Sequence, residues 1–202
     1  MHRTLALLGS LAVALCLVPA ALAVDVHMRV EGQVVTIYGG TQPLVATGST
    51  PLDALETASR ISEFYYHVAQ TSFGPYVDQI GRNPASGDSG WIFKVNGAVP
   101  PVGADKLQLK DRDVVLWYWA TFNSAGQGPP TLLLRHVRGP RRLACYQAYA
   151  QDDQGRTTIA TGALLRVNHG SVATRRGRAC LAKGHGPVRA TRVGAVRSNI
   201  LL

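Results

Sequence analysis

The chain has 202 residues, 46% of them hydrophobic and 16% charged, with a formal net charge of +9. Removing the leader described below leaves 179 residues, which suits two small domains and is tight for a large enzyme. The basic excess sits at one end: positions 24–130 carry seven Lys and Arg against ten Asp and Glu, whereas 131–202 carry thirteen against two. That asymmetry points to an anionic partner such as a wall polymer or a membrane surface. The alternative is arginine-rich coding, since arginines outnumber lysines 17 to 4.

Met1 to Ala23 has Arg3 near its start, an apolar run from Leu5 to Val18, and Ala21-Leu22-Ala23 as a small-residue cleavage site. This is the pattern of a secretory signal peptide cut between Ala23 and Val24. The run falls short of the roughly 18 apolar residues of a spanning helix, and Pro19 breaks it. No transmembrane segment is expected after cleavage, and the mature protein is expected to be secreted, extracellular or held in the cell envelope. Nucleic acid is not an expected partner there. Cys16 leaves with the leader, because Leu15 stands where a lipoprotein signal needs a small residue.

Val24, Val26, Met28 and Val30 alternate with Asp25, His27, Arg29 and Glu31, so the mature chain opens with a half-buried strand. Val34 to Tyr38 reads as a second strand, and the glycines and Pro43 after it as a loop. At Thr50-Pro51-Leu52-Asp53 a threonine N-cap, a proline at the first helical position and an acid three residues past the cap coincide. Leu52, Leu55, Ala58 and Ile61 then form one apolar stripe at helical spacing. Phe64 to Gln70 reads as strand or as loop over the sheet, and Tyr76 to Ile80 is a short apolar segment. Gly87-Asp88-Ser89-Gly90 reproduces the core of a serine-protease nucleophile signature, with His67 and Asp78 in suitable chain order. All three fall within about twenty residues and the serine directly precedes a strand, so no catalysis is expected and the protein is read as non-enzymatic.

The stretch Gly90 to Trp119 organises the rest. Trp91, Phe93 and Val95 alternate with Ile92 and Lys94, and Asn96-Gly97 follows, a dipeptide suited to a tight reversal. Lys106 to Lys110 alternates again, Asp111-Arg112-Asp113 is a polar turn, and Val114 to Trp119 is a strand apolar on both faces. Such a strand needs two covers, and one short helix supplies only one. The second is either a neighbouring domain or an apolar, planar ligand. Candidate ligand residues are Trp91, Phe93, Lys106 and Tyr118, because aromatics stack on planar molecules and Lys106 can meet an anionic group; Trp117 and Trp119 are the alternative set.

Gly90-Trp91, Val95-Asn96-Gly97, Gly103-Ala104-Asp105, Leu109-Lys110-Asp111 and Asp113-Val114-Val115 with Trp117 form an ordered motif series. In it, residues 24–120 resemble the transcobalamin-like C-terminal domain family. The resemblance implies a β-grasp fold and a ligand-binding surface, with a cobalamin-type ligand as one candidate and no cofactor required. Two positions depart from the family. Arg112 replaces the usual glycine between the aspartates, and Lys106 stands where the cobalamin carriers have an aromatic residue. The chain also has no sequence for the helical barrel of those carriers.

Residues 123–130, NSAGQGPP, read as a linker between a domain at 24–122 and one at 131–202. Beyond it, short strand-like runs separated by turns predict an all-β sandwich. Gly162-Ala163 with Leu165-Arg166-Val167, Gly177-Arg178-Ala179 and Gly194-Ala195-Val196-Arg197-Ser198 resemble the immunoglobulin-like or transthyretin-like modules of bacterial surface proteins. Cys145 and Cys180 are read as a disulfide between the sandwich layers, two buried free thiols being the alternative. His27, His67, His136, His169 and His185 are scattered singly, so no metal site is expected. The expected fold class is therefore an α+β β-grasp domain followed by a small β-sandwich. The expected function is a binding protein for a small molecule or partner, the alternative being an envelope interaction or adhesion protein that holds an anionic polymer.

Overall fold

A computed structural model describes residues 22–41, 44–168 and 170–202; most of the expected signal peptide lies outside the described residues. The elements are β1 (Val24–Glu31), β2 (Thr36–Tyr38), β3 (Leu44–Gly48), α1 (Pro51–Ser62), β4 (Tyr66–Thr71), β5 (Gly74–Ile80), β6 (Asn83–Pro84), β7 (Ser89–Val95) and β8 (Val114–Thr121). There follow β9 (Thr131–Val137), β10 (Leu143–Gln151), β11 (Thr157–Ile159), β12 (Leu164–Val167), β13 (Gly170–Ala173), β14 (Arg178–Ala182), β15 (Val188–Thr191) and β16 (Ile200–Leu201).

The first sheet runs β2-β1-β8-β7, with β3 also paired to β1. Its central pairing, β1 with β8, is parallel, and β7 lies antiparallel on the far side of β8. The alternation read in β1 places Val26, Met28 and Val30 in a core with Ala54, Leu55 and Ala58 of α1. The helix starts as its sequence predicts: the Thr50 side chain accepts from Asp53 N at 3.1 Å and Thr50 N donates back to the Asp53 carboxylate at 3.1 Å. Its apolar stripe is rotated from the expected one, since Ile61 is 60% exposed while Ala54 is fully buried.

The expected α+β class does not hold. Among the described residues the regular structure is one helix of 12 residues against sixteen strands in four sheets, a mostly β architecture closer to packed sheets than to a β-grasp. The segment left open between strand and loop pairs with its neighbour as a three-stranded sheet, β4-β5-β6. More decisively, the second face of the first sheet is covered by further strands. β9, β10, β11 and β14 form one sheet and β12, β13, β15 and β16 another, and Leu132, Leu134, Tyr146 and Ala148 of the first pack against Leu165, Val188 and Ala190 of the second. Lys106 to Lys110, expected to be extended, forms no strand; Leu107 and Leu109 pack inward from a loop whose Leu109 N donates to Ser49 O.

Cys145 and Cys180 are bonded. They face each other across neighbouring strands β10 and β14, so the bridge lies within one sheet and does not tie the two layers together. The turn chemistry is also partly as read: Asn96 and Gly97 both have positive φ, of 52° and 92°. Arg112 is held at φ 66° by its neighbours, its N–H donating to Asp25 O at 2.8 Å.

Two stability outcomes follow. Arg112→Gly relieves left-handed strain of roughly 1–2 kcal/mol and is expected to raise the urea midpoint by a net gain of about 1 kcal/mol. Replacing Cys145 and Cys180 together by serine opens a closed loop with a sequence separation of 35. The double variant is expected to lose roughly 3 kcal/mol, read from the same denaturation curves.

Candidate binding site

The register of β7 on β8 decides which aromatic residues share a face. Trp91 lies opposite Trp119 and Phe93 opposite Trp117. Side chains directly opposite in an antiparallel pair point the same way, so all four stand on the α1 side of the sheet. Trp91 meets Trp119 edge-on with ring centroids 5.8 Å apart, and Phe93 tilts against Trp117 at 5.0 Å. Tyr118 and Lys94 point to the opposite side. The four candidates from the sequence are therefore not brought together: Trp91, Phe93 and Tyr118 are buried at 2%, 9% and 0% exposure, while the Lys106 side chain is 74% exposed and pairs with Asp105.

The opposite face carries what the sequence did not reveal. Alternation in β1 predicts that Arg29 and Glu31 face water; both are buried, at 7% and 1% exposure. Glu31 accepts from Arg29 Nη1 at 3.0 Å, from Thr36 Oγ1 at 3.0 Å and from Arg197 Nε at 3.0 Å, with Arg189 Nη2 at 3.9 Å. One carboxylate thus serves three guanidinium groups, two of them from the C-terminal half. Burial pushes the pKa of Arg29 down, Glu31 opposes that, and the other two arginines add to it. Arg197 also donates to the carbonyls of Gly32 and Val34, which clamps the β1–β2 turn.

Further along the same face, Lys94 is 1% exposed and its Nζ donates to Thr131 Oγ1, Gln151 O and Asp152 O at 3.2, 3.2 and 2.8 Å. Burial lowers its pKa, against the pull of Asp153 and Asp152. Tyr118 beside it is held as the neutral phenol, its pKa raised first by burial and then by Asp153. A lysine in the middle of an otherwise apolar strand was the available signal for this contact. Its partners lie on β9, at the end of β10 and at Asp152 just after it, beyond the reach of local pattern.

An open groove lies at one end of this junction. It has a volume of about 470 Å³ and is bounded by Gly32 and Gln33, Trp119, Pro129 and Pro130, and Arg197. Trp119 is only partly covered, unlike the aromatic residues beneath it. The protease-like signature does not assemble: His67 Nδ1 and Asp78 Oδ1 lie 2.7 Å apart, but Ser89 Oγ bonds to Thr121 Oγ1 at 2.8 Å and to Asp88.

The family model described as "Domain of unknown function (DUF4430)" matches residues 48–121, from just before α1 to the end of β8. That segment lies almost entirely within the stretch carrying the transcobalamin-like motif series. No curated protein matches the chain. Among solved structures, a crystal structure of haptocorrin in complex with Cbi is similar at 19% identity and a TM-score of 0.44. The match covers 52% of this chain and 26% of that one, so the chain spans about a quarter of the length of that structure.

Removing the shared carboxylate tests the junction. Glu31→Ala leaves three guanidinium groups facing one another without an acid, and breaking a buried pair in this way costs about 3–5 kcal/mol. Urea denaturation is expected to show that loss, and limited proteolysis to show faster cutting in residues 123–130.

Proposed function

We propose that the chain is a secreted, non-enzymatic binding protein, with a ligand-presenting N-terminal domain at 24–122, a linker at 123–130 and a β-sandwich domain at 131–202, and that its ligand surface is the groove at Trp119. The observation that carries the reading is that Trp119 alone of the stacked aromatic pairs opens onto a groove, of about 470 Å³. That volume lies in the range of small-molecule sites, roughly 300–1,000 Å³. Trp91 supports Trp119 from below through its edge-on contact, and its own indole N–H is committed to Asn83 O at 2.8 Å. Trp91 therefore acts here as a positioning residue, while Phe93 packs on Trp117. The donors of Arg197 that point to the β1–β2 turn are engaged, so the groove offers a planar, largely uncharged surface suited to stacking. The motif series makes corrinoids the first ligands to test. The disulfide is consistent with an oxidising compartment, and no helix among the described residues is long and apolar enough to cross a membrane.

A second reading rests on the C-terminal charge. Among the described residues of that half, Arg156, Arg189 and Arg197 lie within ion-pair distance of a carboxylate. The two acids of that half are both engaged, Asp152 by Arg156 and Asp153 by Gly128 N beside Lys94. The remaining cations, among them Arg135, Arg138 and Arg178, suit an anionic envelope polymer.

A thermal-shift screen of the mature protein against corrinoids and other planar cofactors separates the two. A groove ligand is expected to stabilise by about 2.7 kcal/mol at a hundredfold excess over Kd. It should quench tryptophan fluorescence and lose its effect in Trp119→Ala, with little salt dependence. A polymer binder is expected instead to elute from an anionic resin as ionic strength rises.

A further inference from the structure

A separate, more enclosed cavity of about 260 Å³ lies between the first sheet and β9. Its floor is one cross-strand row, since Arg29 and Lys94 are both register partners of Leu116. Its roof comes from Thr131 and Leu133 of β9 together with Gln151. Carbon dominates the walls, yet two buried cations border them. Arg29 uses Nη1 for Glu31 and for Arg197 O, and its other guanidinium N–H groups have no partner among the described residues. Glu31 is shared with two further arginines, so it cannot neutralise Arg29 alone. Lys94 has only neutral oxygens within hydrogen-bond distance, the nearest carboxylate oxygen being that of Asp153 at 3.8 Å. Arg29 and Lys94 are the charged residues that line the cavity; Glu31 faces Arg29 from outside the lining, and Asp153 and Asp152 act on Lys94.

We propose that this cavity binds a small organic monoanion, its carboxylate on the free edge of the Arg29 guanidinium and its apolar body along Leu116 and Leu133. The chemistry follows from the walls: an uncompensated positive charge in a carbon-lined space selects a ligand with one charged end and one greasy end. Size sets the body. At about 30 Å³ per water-sized unit, 260 Å³ holds roughly eight or nine heavy atoms, the size of hexanoate or benzoate. Gly97 borders the cavity, and a side chain there would come within 2.7 Å of Gln151 Nε2. A desolvated cation whose pKa is pressed down by burial gains most from an arriving anion, as Arg29 would. This site is distinct from the Trp119 groove and stands or falls independently of it.

The test is calorimetric titration of the mature protein with benzoate and hexanoate, beside benzyl alcohol, hexan-1-ol and inorganic phosphate. Saturable one-to-one binding of the two carboxylates is expected, at least tenfold tighter than the alcohols or phosphate. Leu133→Trp, at a partly exposed roof position, fills the space and is expected to abolish binding while circular dichroism stays native. Arg29→Gln, where folded, is expected to weaken binding at least tenfold. Equal affinity for the alcohols, equal affinity for phosphate, undiminished binding in Leu133→Trp, or no saturable heat with either carboxylate would each overturn the proposal. A failed corrinoid screen leaves all of these readouts intact.

Discussion

Glu31 is the point on which the two halves of the molecule meet. It sits at the end of β1, in the central pairing of the first sheet, and takes Arg197 and, at longer range, Arg189 from the far half. A carboxylate in carbon surroundings is costly unless it is fully bonded, and three guanidinium groups with a threonine hydroxyl meet that need. The geometry then fixes much else: where the β1–β2 turn lies, which way Arg29 points, and how the C-terminal strands sit over Lys94 and Tyr118. The surplus of cations that results is what gives the junction its character.

The second cover required by β8 is thus the rest of the chain, one of the two readings open from sequence. It is not a dry apolar interface. Arg29, Glu31 and Lys94 line it, and each is held by partners far along the chain. Removing one partner of a buried pair in such an interface is costly, because it leaves the other charge buried and unpaired.

Local chemistry was legible in the sequence. Thr50 and Asp53 cap α1 as their spacing predicts, and Asn96-Gly97 turns with positive φ, because each depends on neighbours a few residues away. Register was not legible. Parity alone left open which aromatic residues of β7 and β8 share a face, and a loop of eighteen residues between the strands hides the answer that Trp91 lies opposite Trp119. The fold class was missed for a related reason: the helix signal is strong and local, whereas the sheets that outweigh it form by distant pairing. Alternation points Arg29 and Glu31 to solvent because it marks two faces of a strand without saying what lies over either. The charge imbalance between the halves was the clue to that contact, since acid in the first half meets arginine from the second.

The parallel pairing of β1 with β8 joins residues nearly ninety positions apart, His27 with Val114. Contacts of that span close late, because loop-closure entropy comes due before the pairing repays it. Until β8 arrives, β1 presents one edge of unpaired backbone, a template on which a second copy can add a strand. The native sheet therefore completes only when most of the first half is available to pair.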